Sequence, residues 1–250
     1  MRSLLLFFVL SSLFVSSAHA QLFPNAPWHN PRPRPNPIVR PFQAPKTLPT
    51  PATQREQPSF VVQVVATSDG PVNGTFYKGL TDWGSGTLID PTHVLTVAHA
   101  VPVVGLKEIE VRFKNGDKVK AKVVVIHRLY DIAVLELESV RYETPVVIGP
   151  AAVDGDTYTL HGFPKAGPHT TKTGKVKESR FFGNDDPLKL LTVFELTVVA
   201  NDGDSGGPVL DDQKRLRGMV SSSFPNPIPA LRGTQCVEIE ILNKYIAETP

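Results

Sequence analysis

From Phe60 onward the chain is built of short apolar or alternating segments that recur roughly every ten residues and are separated by turns. Alternation with a period of two is typical of strands, and few stretches show the 3.6-residue period of a helix. About a dozen such segments predict an all-β body made of barrels or sandwiches. The sequence KNGD at Lys114–Asp117 predicts a hairpin turn, because Asn-Gly accepts positive φ at both turn positions. Only residues 241–248, ILNKYIAE, predict a short C-terminal helix.

The first 58 residues differ in composition from the rest of the chain. Residues 1–20 have one basic residue, a broken apolar run and the small-x-small ending Ala18-His19-Ala20, which together predict a cleavable secretory signal peptide. An uncleaved membrane anchor is the alternative, but a bilayer span needs roughly 20 apolar residues and this run is shorter. Residues 21–58 hold eleven of the 24 prolines and predict an extended arm or linker. We therefore expect a secreted or periplasmic protein without stable membrane insertion, whose folded domain spans residues 59–250.

Charge and cysteine usage limit the class of the folded part. The arm carries five basic residues against one acid, whereas residues 59–250 carry 20 against 23, so the basic balance belongs to the arm. A nucleic-acid-binding domain would need a basic folded face, and we expect no nucleic-acid partner. The single cysteine, Cys236, excludes a disulfide within one chain. The fold must therefore be stabilised by its core, as in bacterial exported proteins.

The segment ANDGDSGGPV, residues 200–209, places three glycines and two acids around Ser205. A serine hydroxyl becomes a nucleophile only with a base such as imidazole, which in turn needs a carboxylate to hold its tautomer. Of seven histidines, His99 lies at the end of the apolar segment VLTVAHAV, while His93 in DPTHVL is expected in a turn. Asp131 begins the apolar segment DIAVLEL, where an unpaired carboxylate would be costly to bury. Taken singly, each pattern favours a structural role, as a core histidine and a strand-entry aspartate.

Together, TVAHAV, DIAVLEL and GDSGGPV, in the order His, Asp, Ser, resemble the trypsin- and chymotrypsin-like serine proteases. The spacings, 32 residues from His99 to Asp131 and 74 from Asp131 to Ser205, are similar to those of disulfide-free bacterial members of the Deg type. The resemblance covers about residues 59–246. It implies two six-stranded antiparallel β-barrels, at roughly 59–145 and 146–250, with the site between them.

The resemblance also implies a role for each site residue. Ser205 is the expected nucleophile, His99 the base and Asp131 the residue that orients it, with no metal and no cofactor. The amides of Gly203 and Ser205 are expected to form an oxyanion hole, and Gly206 and Gly207 to bring the chain close to the opposing barrel. The expected substrate-binding residues are Val199, at the floor of the primary pocket, with Ser221 and Ser223 on a strand that pairs with the substrate backbone.

These residues lead to the hypothesis of an exported serine endopeptidase that acts on proteins or peptides through an acyl-enzyme. Because Val199 offers no counter-charge, we expect cleavage after small or medium apolar residues. The alternative hypothesis is a catalytically silent binding or adhesion protein that uses the proline-rich arm. The sequence leaves the oligomeric state open.

Asp204 raises the question of activation. In trypsin-like zymogens the acid before the nucleophile pairs with an apolar N-terminus released by cleavage. The sequence REQPSFVVQVVATSDG at the corresponding place contains no such start after a basic residue. We therefore expect donors from the body to pair with Asp204, and the arm to be dispensable for catalysis.

Overall fold

The computed structural model describes residues 56–102, 104–182, 192–224, 233–247 and 249. The predicted signal peptide, residues 1–20, and the predicted arm up to residue 55 lie outside the described residues. Within the described ranges, none of the helices has the length and apolar character required to cross a membrane.

Six antiparallel strands form a first closed barrel, in the order β1-β2-β3-β6-β5-β4. These strands are β1 (Val61–Val72), β2 (Thr75–Leu88), β3 (His93–Thr96), β4 (Leu106–Arg112), β5 (Lys118–His127) and β6 (Ile132–Leu137). Valine is the most frequent residue at their buried positions, since branched side chains pack well on a pleated surface.

A second barrel follows, in the order β11-β8-β9-β10-β13-β12, and it is closed by the pairing of β11 with β12. Its strands are β8 (Thr157–Gly162), β9 (Thr170–Phe182), β10 (Thr192–Leu196), β11 (Pro208–Leu210), β12 (Arg215–Phe224) and β13 (Gly233–Glu238). The two predicted six-stranded barrels are thereby confirmed. A further two-residue strand, β7 (Val147–Ile148), joins β12 in parallel. It lies within the apolar segment PVVIG, residues 145–149, which also predicted a strand.

The predicted C-terminal helix is α1, Ile239–Ala247. It buries Ile239, Leu242 and Tyr245 in the same apolar cluster as the core of the first barrel. That cluster also includes Leu216 and Met219 of β12, so apolar packing is continuous between the two barrels. Each fully buried side chain of this size contributes about 1.5–3 kcal/mol relative to its exposed state. The barrels are therefore held together by shared core, with the site at their junction.

The two Asn-Gly sequences form different turns. At Asn73-Gly74 both residues have positive φ, 49° and 80°, which gives the two-residue hairpin turn between β1 and β2. At KNGD the hairpin is confirmed, but only Gly116 has positive φ, 92°. The Phe113 amide donates to the Asp117 carbonyl at 2.9 Å, so the loop has three residues instead of two. Both positions of a two-residue turn were expected to be left-handed, and that detail was wrong.

The expectation that His93 is a turn residue was also wrong. His93 is the first residue of β3 and is 6 % exposed. Its Nδ1 lies 2.8 Å from Oδ2 of Asp90, and the Asp90 carboxylate also accepts the His93 backbone N–H. This pairing allows an imidazole to be buried where the sequence indicated a turn.

Candidate active site

His99 lies in a single 3-10 turn, Ala98–Ala100, directly after the buried strand β3. The Arg128 guanidinium holds this turn, because it donates from Nη1 to the Ala98 carbonyl and from Nη2 to the Val101 carbonyl, the latter at 2.6 Å. The His99 side chain remains 53 % exposed. Arg128 thus holds the backbone of the turn, while the imidazole of His99 remains accessible to solvent.

Asp131 lies directly before β6, with φ of 55°, a left-handed conformation that aspartate tolerates better than most residues. Its Oδ1 accepts the His99 backbone N–H at 2.9 Å, and its Oδ2 lies 2.8 Å from His99 Nδ1. Because an ionised carboxylate only accepts hydrogen bonds, this contact assigns the proton to Nδ1. The lone pair of Nε2 is then available to accept a proton.

Ser221 supplies a further hydrogen bond to the Asp131 carboxylate. The register of β12 against β13 shifts between Val220 and Ser222, so Ser221 is bulged out of the ladder. Its hydroxyl donates to Asp131 Oδ2 at 2.7 Å. Ser221 was expected only to pair with the substrate backbone, and nothing in GMVSSS indicates a hydrogen bond to a residue 90 positions away.

The loop before Ser205 presents two free amides. The Asp202 carbonyl accepts the Lys165 N–H at 2.7 Å, and the N–H of Gly203 across the same trans peptide points the opposite way. Gly203 has φ of 93°, which a residue with a side chain rarely adopts. In the part of the chain that the structure describes, neither the Gly203 nor the Ser205 N–H donates a hydrogen bond. Two such amides form a concavity suited to an anion.

Gly206 lies where the two barrels come closest. It has φ of 83°, and a Cβ there would lie 2.2 Å from the Ser85 carbonyl of β2. The Ser85 N–H donates to the Ser205 carbonyl at 2.8 Å, which joins β2 to the loop that carries Ser205. For Gly207 the expectation of contact with the opposing barrel was wrong: a Cβ there would meet the carbonyl of His161 in β8, at 2.1 Å.

Asp204 is fully buried. Its Oδ2 accepts hydrogen bonds from Lys172 Nζ at 2.7 Å and from the Asn201 N–H at 2.8 Å. The prediction that donors from the body pair with Asp204 is therefore confirmed. The sequence did not single out Lys172, because pairing across the second barrel decides which side chain reaches the loop.

His99, Gly203 and Ser205 share one cleft of about 260 Å3. Its remaining lining residues are Thr81, Asp82, Trp83 and Asp202. The Ser205 hydroxyl donates to the Ser221 carbonyl at 3.3 Å, and among the described residues it makes no hydrogen bond to His99. Hydrogen bonds between nucleophile and base are often long or misaligned without substrate.

The expected substrate-binding residues lie along neighbouring segments. Val199 is half-buried, and its carbonyl accepts a hydrogen bond from Lys172 at 3.0 Å. Ser223 lies in β12 opposite Thr234 of β13. The Thr234 hydroxyl anchors the Val199 segment, since it donates to the Val198 carbonyl at 2.7 Å and accepts the Ala200 N–H. Over the described ranges, no group of three or more His, Cys, Asp or Glu side chains is arranged to hold a metal ion.

Relatives with similar sequences are proteases by name. The chain is 32 % identical over 142 residues to "Putative protease Do-like 3, mitochondrial" of Arabidopsis thaliana, which covers 52 % of this chain and 24 % of that protein. It is 28 % identical over 144 residues to "Serine protease Rv3671c" of Mycobacterium tuberculosis, with 55 % and 35 % covered. The aligned region thus spans only about a quarter to a third of these curated relatives.

A solved structure covers more of the chain, and a family model covers just over half of it. The active form of the Rv3671c protease from M. tuberculosis superimposes with a TM-score of 0.66 over 85 % of this chain and 94 % of that one, at 20 % identity. At this identity the match establishes the fold. The model of the trypsin-like peptidase domain matches residues 84–219, more than half of the chain, and includes His99, Asp131 and Ser205. The chain therefore belongs to the family of trypsin-like peptidase domains.

Proposed function

We propose that this protein is an exported serine endopeptidase, with Ser205 as nucleophile, His99 as general base and Asp131 as the residue that orients the base. The observation that carries the proposal is the hydrogen-bonded pair of His99 and Asp131, 2.8 Å apart, in one cleft with Ser205 and two free amides. The protease names of the relatives support the same reaction class.

In the first step Ser205 Oγ attacks the carbonyl carbon of the scissile peptide. Its proton passes to His99 Nε2 once the hydroxyl turns from the Ser221 carbonyl toward the imidazole. The carbonyl oxygen becomes an oxyanion, which the N–H groups of Gly203 and Ser205 stabilise. Removal of one such donor typically lowers kcat by about 10²–10³.

In the second step the tetrahedral intermediate breaks its C–N bond, and His99 gives the proton to the leaving amine. The acyl group remains on Ser205 Oγ. Water then attacks this ester, with His99 again as base, and releases the carboxylic acid product. Asp131 stabilises the imidazolium in both steps, because its carboxylate lies against Nδ1–H.

Val199 supports a preference for small or medium apolar side chains before the cleaved bond. Val199 has no charge, and burial of an unpaired ammonium or guanidinium against it would be costly. The segment Ser221–Ser223 would hold the substrate backbone as an added strand. We expect a peptide library to show cleavage after alanine, valine or leucine, and a strong preference for arginine or lysine would contradict this assignment.

The proposed organisation comprises a signal peptide at 1–20, a proline-rich arm at 21–58 and a protease domain at 59–250. Cleavage after Ala20 would release the mature protein into the periplasm or the medium. Protein or peptide chains are the proposed substrates, with no cofactor.

A fluorophosphonate probe tests this proposal, because it reacts with an activated serine hydroxyl and not with an ordinary one. We expect labelling of the wild-type protein at Ser205, and none in Ser205→Ala or His99→Ala. A folded wild-type protein that is not labelled and cleaves no peptide would instead support a silent binding protein. Mass spectrometry of the labelled peptide identifies the serine.

A further inference from the structure

We propose that Lys172 is the positioning residue of the oxyanion loop, residues 201–206, and that its ammonium takes the place of a chain terminus beside Asp204. This inference rests on the proposed function, because an oxyanion loop has a role only in hydrolysis. Lys172 lies in β9, 32 positions before Asp204 in the sequence, and we infer that it supports the oxyanion loop during the reaction.

The environment of Asp204 requires a cation. Its carboxylate is 0 % exposed, and a buried charge without a partner is strongly destabilising. Lys172 Nζ, 2.7 Å from Oδ2, is the cation within ion-pair distance among the described residues. Oδ1 has no hydrogen-bond partner there and packs against Gly162, where a Cβ would lie 2.4 Å from it. The hydrogen bonds that compensate for burial of the carboxylate are therefore those that Oδ2 accepts.

The same carboxylate determines the shape of the loop. Oδ2 accepts the Asn201 N–H at 2.8 Å, while the Asp204 N–H donates to the Asn201 carbonyl at 2.9 Å. These reciprocal bonds close a tight turn that contains Gly203. The free amides of Gly203 and Ser205 flank Asp204 on either side, so a displacement of its side chain moves both.

Lys172 also reaches the segment that we expect to form the primary pocket. Its Nζ donates to the Val199 carbonyl at 3.0 Å. One ammonium thus links the oxyanion loop to the candidate pocket floor. Loss of the ammonium would leave the buried Asp204 carboxylate without a cation, and a turn of this side chain toward water would release the loop.

A matched lysine on the same strand distinguishes this role from a general effect of charge. Lys175 lies three positions further along β9, is exposed, and makes no ion pair within the described ranges. We compare Lys172→Met, Lys172→Arg and Asp204→Asn with Lys175→Met as control. The double variant Lys172→Met/Asp204→Asn tests whether the two residues act together.

Values of kcat and KM with one apolar peptide substrate, and the rate of fluorophosphonate labelling, are measured per folded molecule. Because oxyanion donors act on the transition state, we expect Lys172→Met to lower kcat at least about tenfold with little change in KM. Lys172→Arg should recover most of the activity, and Lys175→Met should match the wild type. The double variant should lose no more than Asp204→Asn alone.

Three outcomes would overturn the inference. Lys172→Met could keep the wild-type kcat per folded molecule, which would make the ion pair structural only. Lys172→Met and Asp204→Asn could have additive effects, which would mean that Lys172 does not act through Asp204. An unreactive wild-type protein would overturn the proposed function and this inference with it, whereas a reactive wild type with an unaffected Lys172→Met overturns the inference alone.

Discussion

The Asp131 side chain is 19 % exposed, and its carboxylate accepts three hydrogen bonds. It accepts the His99 N–H, the His99 Nδ1–H and the Ser221 hydroxyl. Charge-assisted bonds of this kind are about twice as strong as neutral ones. The positive φ at Asp131 is the local strain that accompanies this arrangement.

The first prediction at the residue scale concerns the Ser221 hydroxyl. Ser221→Ala removes one of the three donors, so the carboxylate orients the imidazole less firmly. A loss of about 1.4 kcal/mol in transition-state stabilisation would lower kcat/KM about tenfold. The control Ser139→Ala removes an exposed hydroxyl outside the cleft and should leave kcat/KM near the wild-type value. Equal kcat/KM for both variants would exclude a supporting role for Ser221.

The second residue-scale prediction compares two glycines that share a φ of 83°. Gly206→Ala meets both the backbone penalty and the Ser85 carbonyl at 2.2 Å, whereas Gly155→Ala has open space around the new Cβ. We expect Gly155→Ala to lower the free energy of unfolding by about 1–2 kcal/mol and to retain activity. Gly206→Ala should lower it by more and abolish hydrolysis. Chemical denaturation and peptide assays measure both, and equal losses would mean that close approach at Gly206 is unimportant.

Among the elements, the hairpin of β11 and β12 closes the second barrel, and Asp211 holds its turn. Oδ1 of Asp211 accepts the N–H groups of Gln213 and Arg215 at 3.0 and 2.9 Å. Oδ2 lies 2.8 Å from the Arg215 guanidinium and 3.3 Å from that of the buried Arg217. Burial alone would raise the pKa of Asp211, but the hydrogen bonds from Arg215 and Arg217 outweigh it and lower the pKa below its ordinary value of 3.8.

This lowered pKa predicts how stability depends on pH. The folded state favours ionised Asp211, so its contribution is complete above the ordinary pKa and is lost as pH falls through the folded-state value. At pH 7, Asp211→Asn should lower the free energy of unfolding by about 3 kcal/mol, because Arg217 loses a buried partner. The difference in the free energy of unfolding between Asp211→Asn and the wild type should become smaller below about pH 4. Denaturation curves at pH 7 and pH 3 measure it, with the exposed neighbour Asp212→Asn as control; a constant difference would contradict the assignment.

At the scale of the whole molecule, the two barrels share apolar core and enclose the cleft between them. The first barrel contributes His99 and Asp131, and the second contributes Ser205. Asp204 already has its cation within the second barrel. We therefore expect the site to form without an N-terminus newly released by cleavage.

This arrangement predicts activity without a defined activating cut. Protein released by signal-peptide cleavage should hydrolyse peptides, and N-terminal sequencing of active material should find chains that begin near Gln21. Variants that block cleavage at Arg40 and Arg55, such as Arg40→Gln with Arg55→Gln, should be as active as wild type. Activity that appears only after one cut near residue 59 would indicate a zymogen mechanism and contradict this prediction.

The sequence by itself determined the strand-rich body and indicated the three residues proposed for catalysis. The separate N-terminal region stays a prediction, because it lies outside the described residues. The strand-rich body and the three residues follow from local information: period-two alternation predicts strands, and GDSGGPV, TVAHAV and DIAVLEL are short contiguous motifs. The C-terminal helix was predicted for the same reason, and α1 lies within two residues of the expected start. Turn types were less predictable, since KNGD and Asn73-Gly74 share a dipeptide but differ in loop length.

Only the tertiary structure decided which side chains support the candidate catalytic residues. Ser85 donates to the Gly203 carbonyl across 118 positions, Ser221 reaches Asp131 across 90, and Lys172 reaches Asp204 across 32. Each contact depends on strand register and barrel closure, and a shift of one residue would turn the side chain to the opposite face of its strand. Local sequence does not encode that register, because it results from packing of both barrels together. Ser205 could therefore be proposed as the nucleophile from seven residues, whereas the groups that hold its loop in place became identifiable only from the complete fold.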